Sequence, residues 1–448
     1  MTHHATLPPE VWDLIINILE APPRELKLLC LTSHTICRLT QPVLFHRIVL
    51  RLDDTLNGRL AAIESMMSEK PERQYWVKEI EIIAKRDHTG WGQQFLNEAH
   101  ILKFKSITVN LLLQSPSLQI VRLSDIKMDA RIRDFLLGSP NLTSLWCERV
   151  NSSNLAMGKP STEVIRALRS REPPFSLTID DCGLGGLWEV LDTFLLCSNL
   201  GCLQITDRHF PTARIKKLIR RKVPLDRLTT LAVLEPNHDE FPVLLELLAV
   251  CPNLLQLKLS LRTDSNIINT PHSCSTSIVP RLVRLESRVA LAEIFTAKRP
   301  IETLELFSTG YAHDAALTHL ATLSNITPIL TELILRLEWQ EPSLLNRVAE
   351  LFPRLKTLSI RLSDYGHFSE DFERVWIRNS LSLMVAGLNE LEVLWLLTES
   401  EVSVNDVTIG LNDIPEDCRL GVVGLRLKKW PNCPRVWTRI DGVWREGD

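Results

Sequence analysis

The chain has 448 residues, 45% of them apolar, with 51 Lys plus Arg set against 54 Asp plus Glu for a net charge of −3. This balance excludes a disordered chain and a basic protein built to track nucleic acid. No run of eighteen apolar residues is present, so no membrane-spanning helix is expected.

Residues 1–50 predict a compact set of helices. Thr6 can cap the first, Pro8 and Pro9 suit its first turn, and Glu10 complements its N-terminal dipole. Val11, Leu14, Ile15, Ile18 and Leu19 form one apolar stripe. Ala21-Pro-Pro-Arg24 breaks that helix. A second runs over Glu25–Leu31 and a third over about Thr35–Thr40, ended by Pro42. Leu44-Phe45-His-Arg-Ile48 then exits into an extended run. Three short helices cannot hide this much apolar surface, which marks either an interaction site or a cap packed on the rest of the chain.

Beyond residue 75 the leucines, of which the whole chain has 77, fall into a repeat. The spacing L-x-x-L-x-L recurs as Leu118-Val121-Leu123, Leu142-Leu145-Cys147, Leu200-Leu203-Ile205, Leu228-Leu231-Val233 and Leu254-Leu257-Leu259. It continues as Ile301-Leu304-Leu306, Leu330-Leu333-Leu335, Leu355-Leu358-Ile360 and Leu391-Leu394-Leu396. Weaker members are Val77-Ile80-Ile82, Phe175-Leu177-Ile179, Leu282-Leu285-Ser287 and Leu420-Val423-Leu425. Steps run mostly from 24 to 29 residues, although Leu355 to Leu391 is 36.

The last two apolar positions have period 2 and share one face of a short strand. Turns such as Cys251-Pro-Asn-Leu254 and Phe352-Pro-Arg-Leu355 precede the strands. Helical patterns over 187–195, 313–323 and 343–352 precede the turns. Helix, turn and strand repeated about a dozen times predict an α/β solenoid whose core forms only by stacking. A doubly wound sheet would need longer apolar strands and a glycine-rich phosphate turn, which are absent. At the C-terminal end, Trp430, Trp437 and Trp444 stand at seven-residue steps with Pro431 and Pro434 between them. They predict a cap on the last repeat, with an aromatic ligand box as the alternative.

The residue between the paired apolar positions points away from the core. This row reads Arg122, Trp146, Gln204, Ala232, Lys258, Glu286, Glu305, Ile334, Ser359 and Trp395. Its mixed signs argue against a nucleic-acid track. Arg122, Trp146, Lys258, Ile334 and Trp395 are the candidate partner-binding residues, because exposed tryptophan and arginine favour interface hot spots. The alternative is an inserted loop that covers them.

Motifs for catalysis are missing. There is no C-x-x-C, H-E-x-x-H, G-x-S-x-G or kinase set. Cys182, Cys197, Cys202 and His209 lack metal-ligand spacing and read as buried thiols and a loop. The Asp180-Asp181 pair reads as a turn. The expectation is a chain that is no enzyme and binds no metal, cofactor, nucleic acid or membrane. Met1-Thr-His-His carries no secretory pattern, so the ten cysteines are expected to be reduced, in the cytoplasm, the nucleus or both.

Leu7-Pro8-Pro9-Glu10-Val11-Trp12, Ile15-Ile16, Leu26-Lys-Leu-Leu-Cys-Leu31 and Leu44-Phe45 together resemble an F-box. The likeness is to F-box proteins with divergent leucine-rich repeats from mushroom-forming fungi. It covers about residues 6–50, and more loosely the repeats. Ile36 stands where that pattern has tryptophan, and His34 where it has a basic residue. The resemblance implies an F-box over 1–50, a connecting helix or linker over 51–74 and a solenoid over 75–448, with its cap at about 420–448. It implies a substrate-recognition subunit of an SCF-type cullin–RING ubiquitin ligase. Leu7, Pro8, Ile15, Ile16, Leu26, Leu29, Leu31 and Ile36 would then meet a Skp-type adaptor, through it a cullin, while the solenoid binds a protein substrate. The alternative is a repeat scaffold with no ubiquitin link.

Overall fold

The computed structural model describes chiefly residues 23–52, 71–84, 115–128, 130–152, 174–180, 199–206, 212–220, 225–234, 239–260, 277–308, 313–337, 342–362, 385–398, 404–414, 418–427 and 435–447. The chain divides into two compact units, Met1–Arg227 and Leu228–Asp448.

The described part of the first unit starts with α1, Pro23–Cys30, and α2, His34–Leu44. Ser33 caps α2 by accepting the Ile36 N–H at 3.1 Å. Pro42 does not end this helix, contrary to the expectation from sequence. Phe45 N–H donates to Gln41 O at 3.0 Å and His46 N–H to Val43 O at 3.2 Å, closing a last turn that holds the proline. Leu26 is buried.

Strands β1, Arg47–Leu52, β2, Glu79–Ala84, β3, Ile120–Ser124, β5, Ser144–Glu148, β7, Phe175–Asp180, and β8, Leu200–Thr206, form a parallel sheet in that order. Two short strands, β4, Lys127–Met128, and β6, Asn151–Ser152, pair beside it. The helix α3 covers Ala130–Gly138 and α4 covers Thr212–Arg220.

Among the described residues the sheet therefore begins at Arg47, in the run expected to be extended but well before residue 75, where the repeats were expected to start. Phe45-x-x-Ile48-x-Leu50 has the repeat spacing itself, with Ile48 and Leu50 buried and in register with Ile80 and Ile82. Phe45 also stacks on Trp76, ring centroids 6.4 Å apart, so the exit from α2 is tied to the first two strands.

The second unit repeats the plan in parallel. Its strands are β9, Thr230–Leu234, β10, Gln256–Ser260, β11, Arg284–Arg288, β12, Thr303–Ser308, β13, Glu332–Leu337, β14, Thr357–Leu362, β15, Val393–Thr398, and β16, Val422–Leu427. Its helices among the described residues are α5, Phe241–Ala249, α6, Val289–Thr296, α7, His313–Ile326, α8, Pro342–Leu351, and α9, Val404–Asn412. The predicted helices near 313 and 343 are α7 and α8; the one over 187–195 lies outside the described residues.

All three leucine-type positions of every motif named above are buried, weaker members included. The single polar exception, Ser287, donates its hydroxyl to Arg288 O at 3.1 Å and so leaves no orphan in the core. The turn before each strand is also shared. The leading leucine's N–H donates to the carbonyl three residues back at 118, 254, 282, 330, 355 and 391. Proline sits at the second turn position in the first five, where its fixed φ fits. One carbonyl per repeat then accepts two N–H groups from the next, as Leu255 O does from Val283 and Arg284. This is how consecutive repeats lock in register.

The parallel stack of this unit ends in an antiparallel hairpin, β17, Arg435–Ile440, and β18, Val443–Gly447. Asp441 at φ 52° and Gly442 at φ 77° make its two-residue turn, the conformation that Asp-Gly favours. Trp437 is buried and pairs with Val423, taking a core position over the last parallel strand. Trp444 lies under the Arg439 guanidinium at 5.9 Å. Trp430 lies outside the described residues. The cap expected from the tryptophans is thus a β-hairpin.

No helix among the described residues is long and apolar enough to cross a membrane.

Candidate functional site

In a strand whose alternate side chains enter the core, the others form one open face. Parallel pairing puts equivalent residues side by side, with a bulge between Phe175 and Ser176 of β7, opposite Gly201 of β8, after which the register holds. In the first unit the row reads Val49, Glu81, Arg122, Trp146, Thr178 and Gln204. In the second it reads Ala232, Lys258, Glu286, Glu305, Ile334, Ser359, Trp395 and Gly424. All five partner-binding candidates stand in these rows.

Arg122 and Trp146 are cross-strand neighbours. The Arg122 guanidinium lies 5.2 Å from the Trp146 ring centroid and donates through Nε to Glu79 Oε1 at 2.9 Å. Glu79 also sits 3.3 Å from Arg47, which pairs with Glu81 as well. The indole remains exposed. Held between a carboxylate and an aromatic face, Arg122 is preorganised, which limits the entropy a partner's arrival would cost.

Beyond Trp146, Thr178 donates to Gln204 Oε1 at 3.2 Å and Thr206 to Asp180 Oδ1 at 2.8 Å. Asp180 is thus a strand-end acceptor; Asp181 lies outside the described residues. Where the chain leaves β3 and β5, Asp125 and Arg149 both adopt positive φ, 56° and 47°. Their side chains join in a two-pronged pair with both bonds at 2.8 Å. This pair and the neighbouring Glu148 raise the Arg149 pKa.

In the second unit, Lys258 Nζ is 2.7 Å from Glu286, Arg284 is 3.6 Å from Glu305, and Arg336 pairs with Glu305. Burial pushes Glu305 above the ordinary carboxylate range and the Glu286 charge adds to that, while Arg336, Lys258 and Arg284 oppose it. Ile334 and Trp395 are half-buried. The expectation of an outward row fails at two places. Ala232 is too short to clear its neighbours, and Glu305 is drawn beneath its two arginines; both are buried.

Sequence spacing did not single out Glu79, Arg284 and Arg336. They lie two residues from row positions, on the same face by the same period of two, and that was their available signal.

Of the adaptor candidates, Leu26 is buried, so it joins the interior rather than a free surface. Leu29 and Ile36 are half-buried. Leu31 is 83% exposed, beside Leu28 at 64%. Leu7, Pro8, Ile15 and Ile16 lie outside the described residues.

Of the cysteines singled out from the sequence, Cys182 is buried, whereas Cys202 is half-buried, against the expectation of a buried thiol. The Cys182 thiol donates to Cys147 O at 3.3 Å and accepts the Val150 N–H at 3.4 Å. Burial drives Cys147 well up in pKa and Cys251 to about 12. Cys197 and His209 lie outside the described residues. Among the described residues no three His, Cys, Asp or Glu side chains gather as a metal cluster would.

No protein-family model matches the chain, and no curated protein does. Among solved structures, the leucine-rich repeat-containing protein LegL7 of Legionella pneumophila aligns over 86% of this chain and 91% of its own, at 12% identity and a TM-score of 0.30. At that score the architecture rests on the strand register itself, not on the likeness.

Proposed function

We propose that this chain is a non-catalytic repeat scaffold that recruits a protein through the open face of its strands. The observation that carries the proposal is the in-register row in which Arg122, clamped by Glu79, lies against an exposed Trp146. Arginine and tryptophan supply binding energy when a partner desolvates them.

The finer form of the proposal makes the chain a substrate-recognition subunit of an SCF-type ubiquitin ligase. It rests on the F-box resemblance of residues 6–50 and on the outward Leu28 and Leu31 of the α1 end. Leu29, Leu31 and Ile36 would face a Skp-type adaptor, with Leu26 holding the helices together. Catalysis would belong to other subunits, and this chain would raise the effective concentration of a substrate lysine.

The second form is a scaffold with no ubiquitin link, in which the N-terminal helices only close the stack. The Phe45–Trp76 stacking favours it. Deleting residues 1–50 cannot separate the two forms, because it removes most of β1. A pull-down of purified Skp-type adaptor with Leu31→Asp as control does so, since Leu31 is exposed and the substitution leaves the fold intact. Adaptor capture by the wild type that is lost in the variant supports the ligase form. No capture by the folded wild type leaves the plain scaffold.

A further inference from the structure

The open face of β10 to β13 holds its charges at two depths. The side chains of Lys258, Arg284 and Arg336 are 40%, 42% and 46% exposed, whereas Glu286 and Glu305 are 13% and 4% exposed. Glu286 and Glu305 form a floor and the cations stand over it, while Glu332, on the same face two residues before Ile334, is half-buried and accepts from the Thr303 hydroxyl at 2.9 Å. With these cations standing above the two glutamates, solvent meets positive charge here despite the near-neutral chain. Pairs with a half-exposed cation are held weakly in water, and an incoming carboxylate can compete for them.

Lys258, Glu286, Glu305 and Ile334 are consecutive in the row. At about 4.8 Å per strand, Lys258 and Ile334 stand roughly 14 Å apart, or about four residues of extended chain. Arginine suits a carboxylate through its planar, two-pronged geometry. The cations occupy one cluster beside an apolar residue rather than the continuous stripe that a phosphate backbone would need.

We propose that this cluster binds an extended acidic segment of the partner protein. Two or three Asp or Glu residues meet Lys258, Arg284 and Arg336, and an apolar side chain about four residues away meets Ile334. This rests on the scaffold reading and names the chemistry of its partner.

The test pans a random twelve-residue peptide display library on the full chain. Selected peptides are then measured by fluorescence anisotropy at low and high salt. Enrichment of acidic peptides with a flanking apolar residue is expected. Their affinity should fall at least tenfold in Arg284→Gln/Arg336→Gln and severalfold in Lys258→Gln, the latter altering a half-exposed residue that does not hold the fold. High salt should weaken them. Neutral or basic peptides that lose binding on Ile334→Ala would overturn the acidic specificity and leave the scaffold intact. Competition by an oligonucleotide or a phosphoserine peptide that outbinds every acidic one would overturn it in favour of that occupant. No enrichment at all would overturn the scaffold reading as well.

Discussion

The Trp395 indole rests on the backbone of Gly424, its neighbour across β15 and β16: a Cβ at Gly424 would fall 2.1 Å from Trp395 Cε3 and Cζ3. The glycine is therefore the seat that lets a tryptophan lie down on an otherwise open face. Gly424→Ala forces the ring away and is expected to cost about 1–3 kcal/mol, the usual range for overpacking. Trp395→Ala on the same chain should recover most of that loss. Urea unfolding of both single variants and the double variant measures the coupling, and additive effects would contradict the contact.

Trp146→Ala separates binding from stability. An exposed cation–π pair contributes about 0.5–1 kcal/mol, so the thermal midpoint should barely move. Partner binding through this face should fall at least tenfold. A large drop in the midpoint would mean that the indole is structural instead.

Glu305 gives the second unit a pH signature. Its folded pKa lies above the ordinary 4.5 because of burial first and the Glu286 charge second. The folded state thus holds this proton more tightly than the unfolded state. The stability it contributes is fully present below the ordinary value and is lost as pH rises through the raised one. The unfolding free energy of the wild type minus that of Glu305→Gln should therefore decline as pH rises from about 4.5. A difference that grows with pH would contradict the assignment.

The thiols divide by burial. Cys147, Cys182 and Cys251 are buried, while Cys30, Cys37, Cys202 and Cys418 are half-exposed. With Cys251 pushed up to about 12 and Cys147 well above its usual value, neither supplies thiolate at neutral pH. Brief alkylation of the native chain, read by peptide mass spectrometry, should mark the half-exposed group first. Early labelling of Cys147 would contradict the repeat stacking around it.

Much of the fold was legible because the signal is redundant. Each repeat states its strand three times, through the two apolar positions and the leading leucine, and stacking admits only one register. Phe45-x-x-Ile48-x-Leu50 read as an extended exit from the helices rather than as a repeat, although it carries the same spacing, because it stands apart from the run of leucine motifs. The C-terminal tryptophans signalled a cap but not its form; the hairpin was written in Asp441-Gly442, a two-residue turn sequence. The face residues were legible as positions, since period 2 fixes which side they occupy. Their depths were not, because Glu305 and Ala232 sink for reasons set by neighbours on other strands. The seat that Gly424 offers Trp395, 29 residues away, has no local trace either.

The ligase form of the proposed function is tested most directly by hydrogen exchange on the full chain, with and without purified Skp-type adaptor. That form predicts new protection across 23–44, while strands 120–124, 144–148 and 256–260 exchange as before, leaving their open face free for a second protein. Unchanged exchange over 23–44 at saturating adaptor, or protection appearing on those strands instead, would contradict it.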